Sequence, residues 1–553
     1  MTAGISVKQA YLLSIFTGLC WWLSWPPIDQ AWLAFFAFIP LLWALESQLA
    51  TGFSGGKVRY WLIVYTGLLV WNVLTTWWVG KASVAGGLFA NFANPALQSI
   101  PFMLFRSARR HLNRKAAWVM LVTSWMALEY LHLRWEFTWP WLTLGNVFAG
   151  AHTWVQWYEL TGVFGGTLWV WTINILMLEW LLKLSGKRKG NAVVIPFFRM
   201  GWVQLAGIIM LVVIPVTASL IRYGQVQDEG SPVRVTVLQP NFDPYTEKFS
   251  LSESAMLDKM LSLSATGLTD STDYLVWPET SVPQPIWLNR AAFSGPIRRI
   301  RSLTDQYPDL TTVIGINAFM EYDSKEELTP TARELVNRQM HDTVWYDAFN
   351  SSIQIDTSGR IPWYHKSKLV PGVERLPYPG TLKFMEYFTL DLGGISGSLG
   401  TQKDRSVFYN SDSTGVGTAI CYESIFGEYV TRYVKNGAGL LFIITNDGWW
   451  GNTAGYKQHC AYASLRAIEN RRSIARSANT GISCFVNQRG DISQATAWAE
   501  DAVITGVVYA NSRQTFYTRN GDYLARTACW VMVLLWLFTF VRNRTARLRS
   551  ISK

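Results

Sequence analysis

The chain is predicted to join an α-helical membrane bundle of about eight spans to a long α/β domain. Three observations predict this. Half of the 553 residues are hydrophobic and only 16% are charged, against roughly 25% charged in an ordinary soluble protein. The 29 Trp residues concentrate in the first third, as expected of apolar helices with aromatic ends at a bilayer surface. Beyond about residue 231 the pattern changes to short β-branched or apolar runs alternating with helical and loop segments.

The membrane elements come first. A helical span needs about 17–25 residues. Candidates are Tyr11–Trp25, Ala31–Leu45, Tyr60–Val79, Leu88–Phe105, Ala116–Leu133, Gly162–Leu184, Met200–Ile221 and Thr527–Val541. The first two are short and flanked by proline. Trp25-Pro26-Pro27 follows the first where a cleavage site of small residues would stand, so the run reads as a span and not as a cleaved signal peptide. The Trp-rich stretch Trp135–Leu160 reads as an interfacial loop with a turn at Trp139-Pro140-Trp141. With the N-terminus cytoplasmic, the loops after spans two, four and six are basic (Lys57 and Arg59; Arg106, Arg109, Arg110, Arg114 and Lys115; Lys183 to Arg199), and so is the tail from Arg542 to Lys553. That alternation places the block between spans seven and eight outside the cytoplasm. Three parts follow: a transmembrane part, 1–230; an extracytoplasmic α/β domain, 231–517; and a last span with a basic tail, 518–553.

Within the block, strands are expected at Val233–Leu238, Tyr274–Trp277, Thr312–Gly315, Asn350–Asp356, Gly415–Cys421, Gly439–Thr445, Ser483–Asn487 and Ala502–Val508. Asp356-Thr357-Ser358-Gly359 reads as a hairpin turn. The net charge of +11 lies beside apolar spans and not along one polar face, which argues against nucleic acid as a partner. Cys20 and Cys529 lie inside apolar runs, and three cysteines fall in the polar block, so no disulfide framework is expected. The Cys and His residues show no metal-binding spacing, and no metal or other cofactor is expected.

Chemistry gathers at strand ends. Cys421, in Thr418-Ala419-Ile420-Cys421-Tyr422-Glu423, is a candidate nucleophile that forms thioesters; the bland alternative is a small buried hydrophobe. The polar pair after it favours the first reading. Glu279, after Tyr274-Leu275-Val276-Trp277-Pro278, is a carboxylate placed to be partly desolvated and to exchange a proton near neutral pH. Lys366 offers an ammonium for an oxyanion, and Lys368, two residues on, competes with it. Glu374 follows a Pro-Gly turn and either holds the lysine or forms a rim salt bridge. Asn446 and Asp447 suit a turn, and Trp449 or Trp450 a pocket wall. Arg466, Glu469, Arg471, Arg472 and Arg476 read as a structural ion-pair face. Tyr378–Leu399 sets bulky apolar residues beside glycines, which suits either a lipid-dipping lid or core under a long loop.

Taken together, Gln239-Pro240-Asn241, Trp277-Pro278-Glu279-Thr280, Tyr364-His365-Lys366-Ser367-Lys368, Ile420-Cys421-Tyr422-Glu423, Asn446-Asp447-Gly448-Trp449-Trp450-Gly451, and Gln458-His459 through Glu469 to Asn479-Thr480-Gly481 resemble the nitrilase superfamily of carbon-nitrogen hydrolases. Within it they resemble the bacterial apolipoprotein N-acyltransferase family. Their order and spacing carry the resemblance, which spans the extracytoplasmic block. It implies an αββα sandwich with Glu279, Lys366 and Cys421 as catalytic triad, Glu374 as a further essential glutamate, and Tyr422 and Glu423 as a supporting pair. Gln239, Asn241, Asn446 and Trp449 are its pocket candidates. Gly372-Val373 stands where the family often has Phe-Gly, with the spacing to Glu374 kept.

The resemblance further implies a monomeric enzyme of the cell inner membrane, with its catalytic domain on the periplasmic side. Its acyl donor would be a phospholipid, phosphatidylethanolamine first, and its acceptor a diacylglyceryl-modified apolipoprotein. Two other classes remain open on the residues alone. One is a membrane-tethered amidase or nitrilase-type hydrolase. The other is a membrane scaffold or transporter, against which the scarcity of ionisable residues within the spans argues (Glu129 and Glu179 lie near span ends).

Overall fold

The computed structural model describes residues 5–50, 56–186, 194–245, 247, 251–337, 342–378 and 398–551. The chain forms two compact units. One comprises Met1–Trp77, Gly87–Gly224 and Asp522–Lys553, and the other Trp78–Gly86 and Gln225–Gly521.

The first unit is helical. Among the described residues, five helices are long and apolar enough to cross a membrane: Ala31–Leu49, Gly56–Thr76, Val163–Leu184, Gly201–Gln225 and Tyr523–Arg542. Eight spans are therefore not established. The helices Val7–Ser24 and Arg114–His132 form where spans were expected, but Ser, Thr and Lys or Arg residues dilute their apolar character. The expected span Leu88–Phe105 is not one helix. It breaks into a π turn at Phe89–Ala93, a short helix at Asn94–Gln98 and a longer one from Ile100 to His111, with prolines at the starts of both helices.

Several tryptophans serve as packing here. Trp21, Trp25, Trp71, Trp125, Trp141 and Trp171 are among the largest fully buried side chains, and Phe38 stacks on Trp171 at 4.2 Å between ring centroids. The stretch expected as an interfacial loop instead coils through short 3-10 turns at Pro140–Leu142 and Leu144–Phe148 whose residues are buried. Glu129 anchors it, accepting from the Leu144 backbone N–H at 2.8 Å, Trp125 Nε1 at 2.9 Å and Thr167 Oγ1 at 2.8 Å. Three donors tie this buried carboxylate into the fold. At the expected basic end, Arg109 and Arg114 pair with Glu46, and Arg114 also pairs with Glu179.

The second unit is an α/β sandwich. Its strands in chain order are β1 (Ser231–Gln239), β2 (Tyr274–Val276), β3 (Val282–Trp287), β4 (Thr311–Glu321), β5 (Arg333–Asn337), β6 (Asp342–Ile355), β7 (Trp363–His365), β8 (Phe408–Tyr409), β9 (Gly415–Ile420), β10 (Leu440–Thr445), β11 (Ile474–Ala478), β12 (Cys484–Val486), β13 (Ile492–Ser493) and β14 (Ala502–Ala510). One sheet runs β14-β1-β2-β4-β6-β5, with β3 on β4 and β7 on β6; the other runs β13-β12-β11-β10-β9-β8. Each of the eight expected runs lies on a strand.

The inner strands β1, β2 and β4 run parallel, as do β9, β10 and β11. Their near-continuous apolar runs suit strands covered on both faces. The sheets meet face to face, with the Tyr274 ring of β2 edge-on to Phe442 of β10 at 5.3 Å and the Ser477 hydroxyl of β11 donating to the Leu238 carbonyl of β1. On the outer face of the first sheet, Met256, Leu257, Met260, Ile297 and Ile300 from the helices Glu253–Gly267 and Gly295–Thr304 share a core with Leu238, Leu275, Ile314 and Ile353. The helices Gly427–Lys435 and Ala454–Asn470 belong to the second sheet. Parallel strands in a layered sandwich deliver their carboxyl ends to one edge, where such folds build sites.

Candidate active site

Cys421 is the first residue after β9. It has φ +50°, the left-handed region that costs a non-glycine residue about 1–3 kcal/mol and persists only where the surroundings enforce it. The turn lifts the side chain out of the strand's alternation. The Thr445 hydroxyl at the end of β10 hydrogen-bonds the thiol. Burial pushes the Cys421 thiol well above the ordinary range; Glu279 and Asp447 push the same way and Lys366 opposes. The thiol thus sits beside Glu279 and the Lys366 ammonium.

Glu279 follows β2 and is buried. Its Oε1 accepts from Asn350 Nδ2 at 2.7 Å and Lys366 Nζ at 3.0 Å, and its Oε2 from the Asn446 backbone N–H at 3.1 Å. Gly315 of β4 lies beneath it. A Cβ there would stand 2.6 Å from Glu279 Cα and 2.5 Å from the Pro278 carbonyl oxygen, so the close approach requires glycine. Lys366 is the first residue after β7 and is 1% exposed. It binds Glu279 and, at 2.8 Å, Glu374 Oε1. Burial disfavours its ammonium, but Glu279, Glu374 and Cys421 outweigh that and hold its pKa well above the usual lysine value.

Lys368 is different. It is half-buried and lies over the Phe426 ring at 4.8 Å. Because β7 ends at His365, strand alternation does not govern the two lysines. Glu374 Oε2 also accepts from the Val370 N–H at 2.9 Å, and Gly372 at φ +77° turns the chain back toward it. Glu374 is therefore a buried partner of the lysine and not a rim salt bridge.

Glu423 is saturated. It accepts from Tyr364, Tyr429 and Tyr433 hydroxyls and from the backbone N–H groups of Ser367, Lys368 and Ile420. It ties the lysine segment to the nucleophile turn. Tyr422 packs edge-on to Phe426. Asn446 presents its backbone N–H to Glu279, while its side chain accepts from Gly448 N and Asn479 Nδ2. Trp449 is half-buried beside Tyr245 at 5.3 Å. Gln239 is fully buried, with its amide bonded to Ala497, Glu500, Ser483 and Thr496; it ties the end of β1 to the loops that flank β12 and β13. Asn241 sits in a loop, donating its backbone N–H to the Asn479 carbonyl.

The arginine stretch is not a helical ion-pair face. The helix ends at Asn470, Arg471 is left-handed, and Arg476 lies on β11. Arg466 pairs with Glu469, Arg472 donates to four backbone carbonyls, and Arg476 binds Asp447 at 2.7 Å. Of the expected lid, residues 379–397 lie outside the described residues.

Three residues at the site had no role assigned to them from the sequence. Asn350 of β6 bridges Glu279 and Glu374, donating to both. Thr445 touches the thiol. His459 contacts the Cys421 carbonyl. The signal for Asn350 was a polar triplet, Asn350-Ser351-Ser352, inside an apolar strand.

Residues 17–176 match the family model of the apolipoprotein N-acyltransferase N-terminal domain, and residues 234–516 that of carbon-nitrogen hydrolase. The chain is 29% identical to the apolipoprotein N-acyltransferase of Chlorobaculum tepidum, covering 97% of this chain and 98% of that one. It is 27% identical to that of Geobacter metallireducens, covering 94% and 93%. Among solved structures it is similar to Saccharomyces cerevisiae Nit3, a member of branch 10 of the nitrilase superfamily. The identity there is 15% and the TM-score 0.35, over 51% of this chain and 91% of that one.

Proposed function

The chain belongs to the carbon-nitrogen hydrolase family, and from that premise we propose that it is a membrane enzyme transferring a fatty acyl group from a phospholipid, through a thioester on Cys421, to the α-amine of the diacylglyceryl cysteine of apolipoproteins. Glu279, Lys366 and Cys421 carry the chemistry. Glu279 takes the Sγ proton as sulfur attacks the ester carbonyl of the donor. The raised thiol pKa makes that base necessary, since little standing thiolate exists at neutral pH. Lys366, held cationic by two carboxylates, stabilises the oxyanion. Collapse breaks the ester C–O bond, the lysophospholipid alcohol leaves with the proton from Glu279, and the thioester remains. The acceptor amine then attacks, Glu279 takes its proton, the C–S bond breaks, and the thiol recovers that proton.

The observation that carries this reading is one carboxylate already bound to the buried lysine beside a cysteine in a left-handed turn. The same site serves hydrolysis if water is the acceptor. Transfer is favoured because a further 160 residues outside the hydrolase-like segment match an acyltransferase model, at 17–176. On this reading 231–517 lies on the periplasmic side of the inner membrane between the membrane parts 1–230 and 518–553, which the eight apolar stretches, taken as spans, and the basic loops support. Phosphatidylethanolamine is the first donor to try.

Intact mass spectrometry after incubation with phosphatidylethanolamine tests the first step. A hydroxylamine-labile acyl adduct is expected on wild type and not on Cys421→Ala. A diacylglyceryl-cysteine peptide should then discharge it as an N-acylated product. Release of free fatty acid without capture by the peptide would identify a hydrolase instead.

A further inference from the structure

Behind the nucleophile lies a buried set of polar groups that the proposed mechanism does not use. His459, on the helix Ala454–Asn470, places Nε2 3.2 Å from the Cys421 carbonyl oxygen and 2.9 Å from Ser424 Oγ. The Ser424 hydroxyl itself donates to that carbonyl at 2.8 Å. On its other side, His459 Nδ1 lies 2.9 Å from Asp447 Oδ1 and 3.1 Å from Arg476 Nη2. Arg476 also binds Asp447 Oδ2 at 2.7 Å, and Thr445 Oγ1 donates to Asp447 Oδ1 at 2.8 Å. His459, Asp447 and Arg476 are each no more than 1% exposed.

The Cys421 carbonyl accepts only, so a hydrogen bond between it and Nε2 places a proton on Nε2. Nδ1 then accepts from Arg476 in a neutral ring. With that tautomer Nε2–H points at the nucleophile's own peptide group. A residue named as functional for its side chain is thus held by its carbonyl, from a helix and two strand ends distant in sequence.

We infer that His459, oriented by Asp447 and Arg476, is a positioning residue for acyl transfer: through the Cys421 carbonyl it sets the direction and donor strength of the Tyr422 backbone N–H toward the oxyanion. The peptide group is planar, so fixing its C=O fixes its N–H. Donors on the carbonyl also polarise the amide, strengthening the N–H as a donor by about 10–30% per bond. The inference rests on Cys421 being the acylated residue.

The test uses full-length protein in detergent and two reactions of the same thiol. Acylation by phosphatidylethanolamine passes through an oxyanion; alkylation by iodoacetamide does not. For His459→Leu the acylation rate is expected to fall about 10–100-fold, by analogy with lost oxyanion donors, at an unchanged half-saturating lipid concentration, while alkylation changes less than about threefold. His459→Gln, which keeps an N–H donor, should recover most of the loss. Ser424→Ala, which removes only the second donor to the same carbonyl, should lose about 3–10-fold in acylation alone and stands in if the leucine variant does not fold. Equal loss in the leucine and glutamine variants, a wild-type acylation rate in His459→Leu, or parallel loss of acylation and alkylation would overturn the inference. Absence of any Cys421-dependent adduct on wild type would instead overturn the acyl-enzyme reading beneath it.

Discussion

Two lysines two residues apart meet different surroundings, and the difference decides what each can do. Lys366 reaches two carboxylates from a fully buried position, whereas Lys368 is half-buried over an aromatic ring. An ammonium in a dry site is worth far more to an oxyanion than one in water. On the proposed mechanism Lys366→Ala therefore lowers acyl-enzyme formation by at least about 100-fold, and Lys368→Ala changes it by less than about threefold. Asn350→Ala falls between them, about 10–100-fold, because it removes one donor from each of two buried carboxylates. Rates of adduct growth by mass spectrometry separate the three, and equal losses at both lysines would sink the assignment. Sequence alone left the lysines tied, because the tie breaks on where β7 ends. Asn350 was invisible as a functional residue because its two partners are 71 and 24 positions away.

At the scale of elements, the site is a set of strand ends, and those ends carry the charges that set acid stability. His365 closes β7 and stacks on Phe349 at 3.9 Å, with Nδ1 2.7 Å from Ser351 Oγ. Burial pushes its pKa from 6.5 down to about 4. Asp447 follows β10. Burial opposes its charge, but Arg476 and His459 outweigh that and hold its carboxyl at about 2, against the ordinary 3.8. Both shifts act in the same direction. A group whose pKa is depressed on folding contributes stability that is whole above its unfolded value and is lost as pH falls through the folded one. The unit 225–521 should lose stability from about pH 6.5 down to 4 through His365, and from about 4 down to 2 through Asp447. Thermal unfolding midpoints measured across that range should fall in wild type and fall less between pH 6.5 and 4 in His365→Gln. An unchanged slope in the variant would remove His365 from the account. Strands with uninterrupted apolar runs, such as Leu440–Thr445, were legible from sequence. Ile474–Ala478 was not, because its central Arg476 is buried by pairing with Asp447, and a charge in mid-strand reads as surface until its partner is known.

At the scale of the whole chain, the count of spans fixes whether the two termini share a side. On the proposed reading the eight apolar stretches, an even number, would set both termini on one side of the membrane, and the basic loops would make that side the cytoplasm and leave the block 231–517 outside. The five helices long and apolar enough to cross are an odd number, and five spans alone would set the termini on opposite sides. The three in dispute are Val7–Ser24, the broken segment around Asn94 and Arg114–His132. Each carries polar residues, and several of these are matched inside the unit: Asn72 Nδ2 to Gln98, Asn94 Nδ2 to Asn72, and Glu129 to its three donors. Polar groups satisfied within a helical unit can lie at membrane depth at modest cost, which hydropathy averaged along one helix cannot register. The expectation is eight crossings. Epitope tags at both ends should resist protease added outside spheroplasts, while a cysteine at exposed position 271, Ser271→Cys, should react with a membrane-impermeant maleimide from outside. Tags on opposite sides would make the crossings an odd number and overturn the eight-span reading.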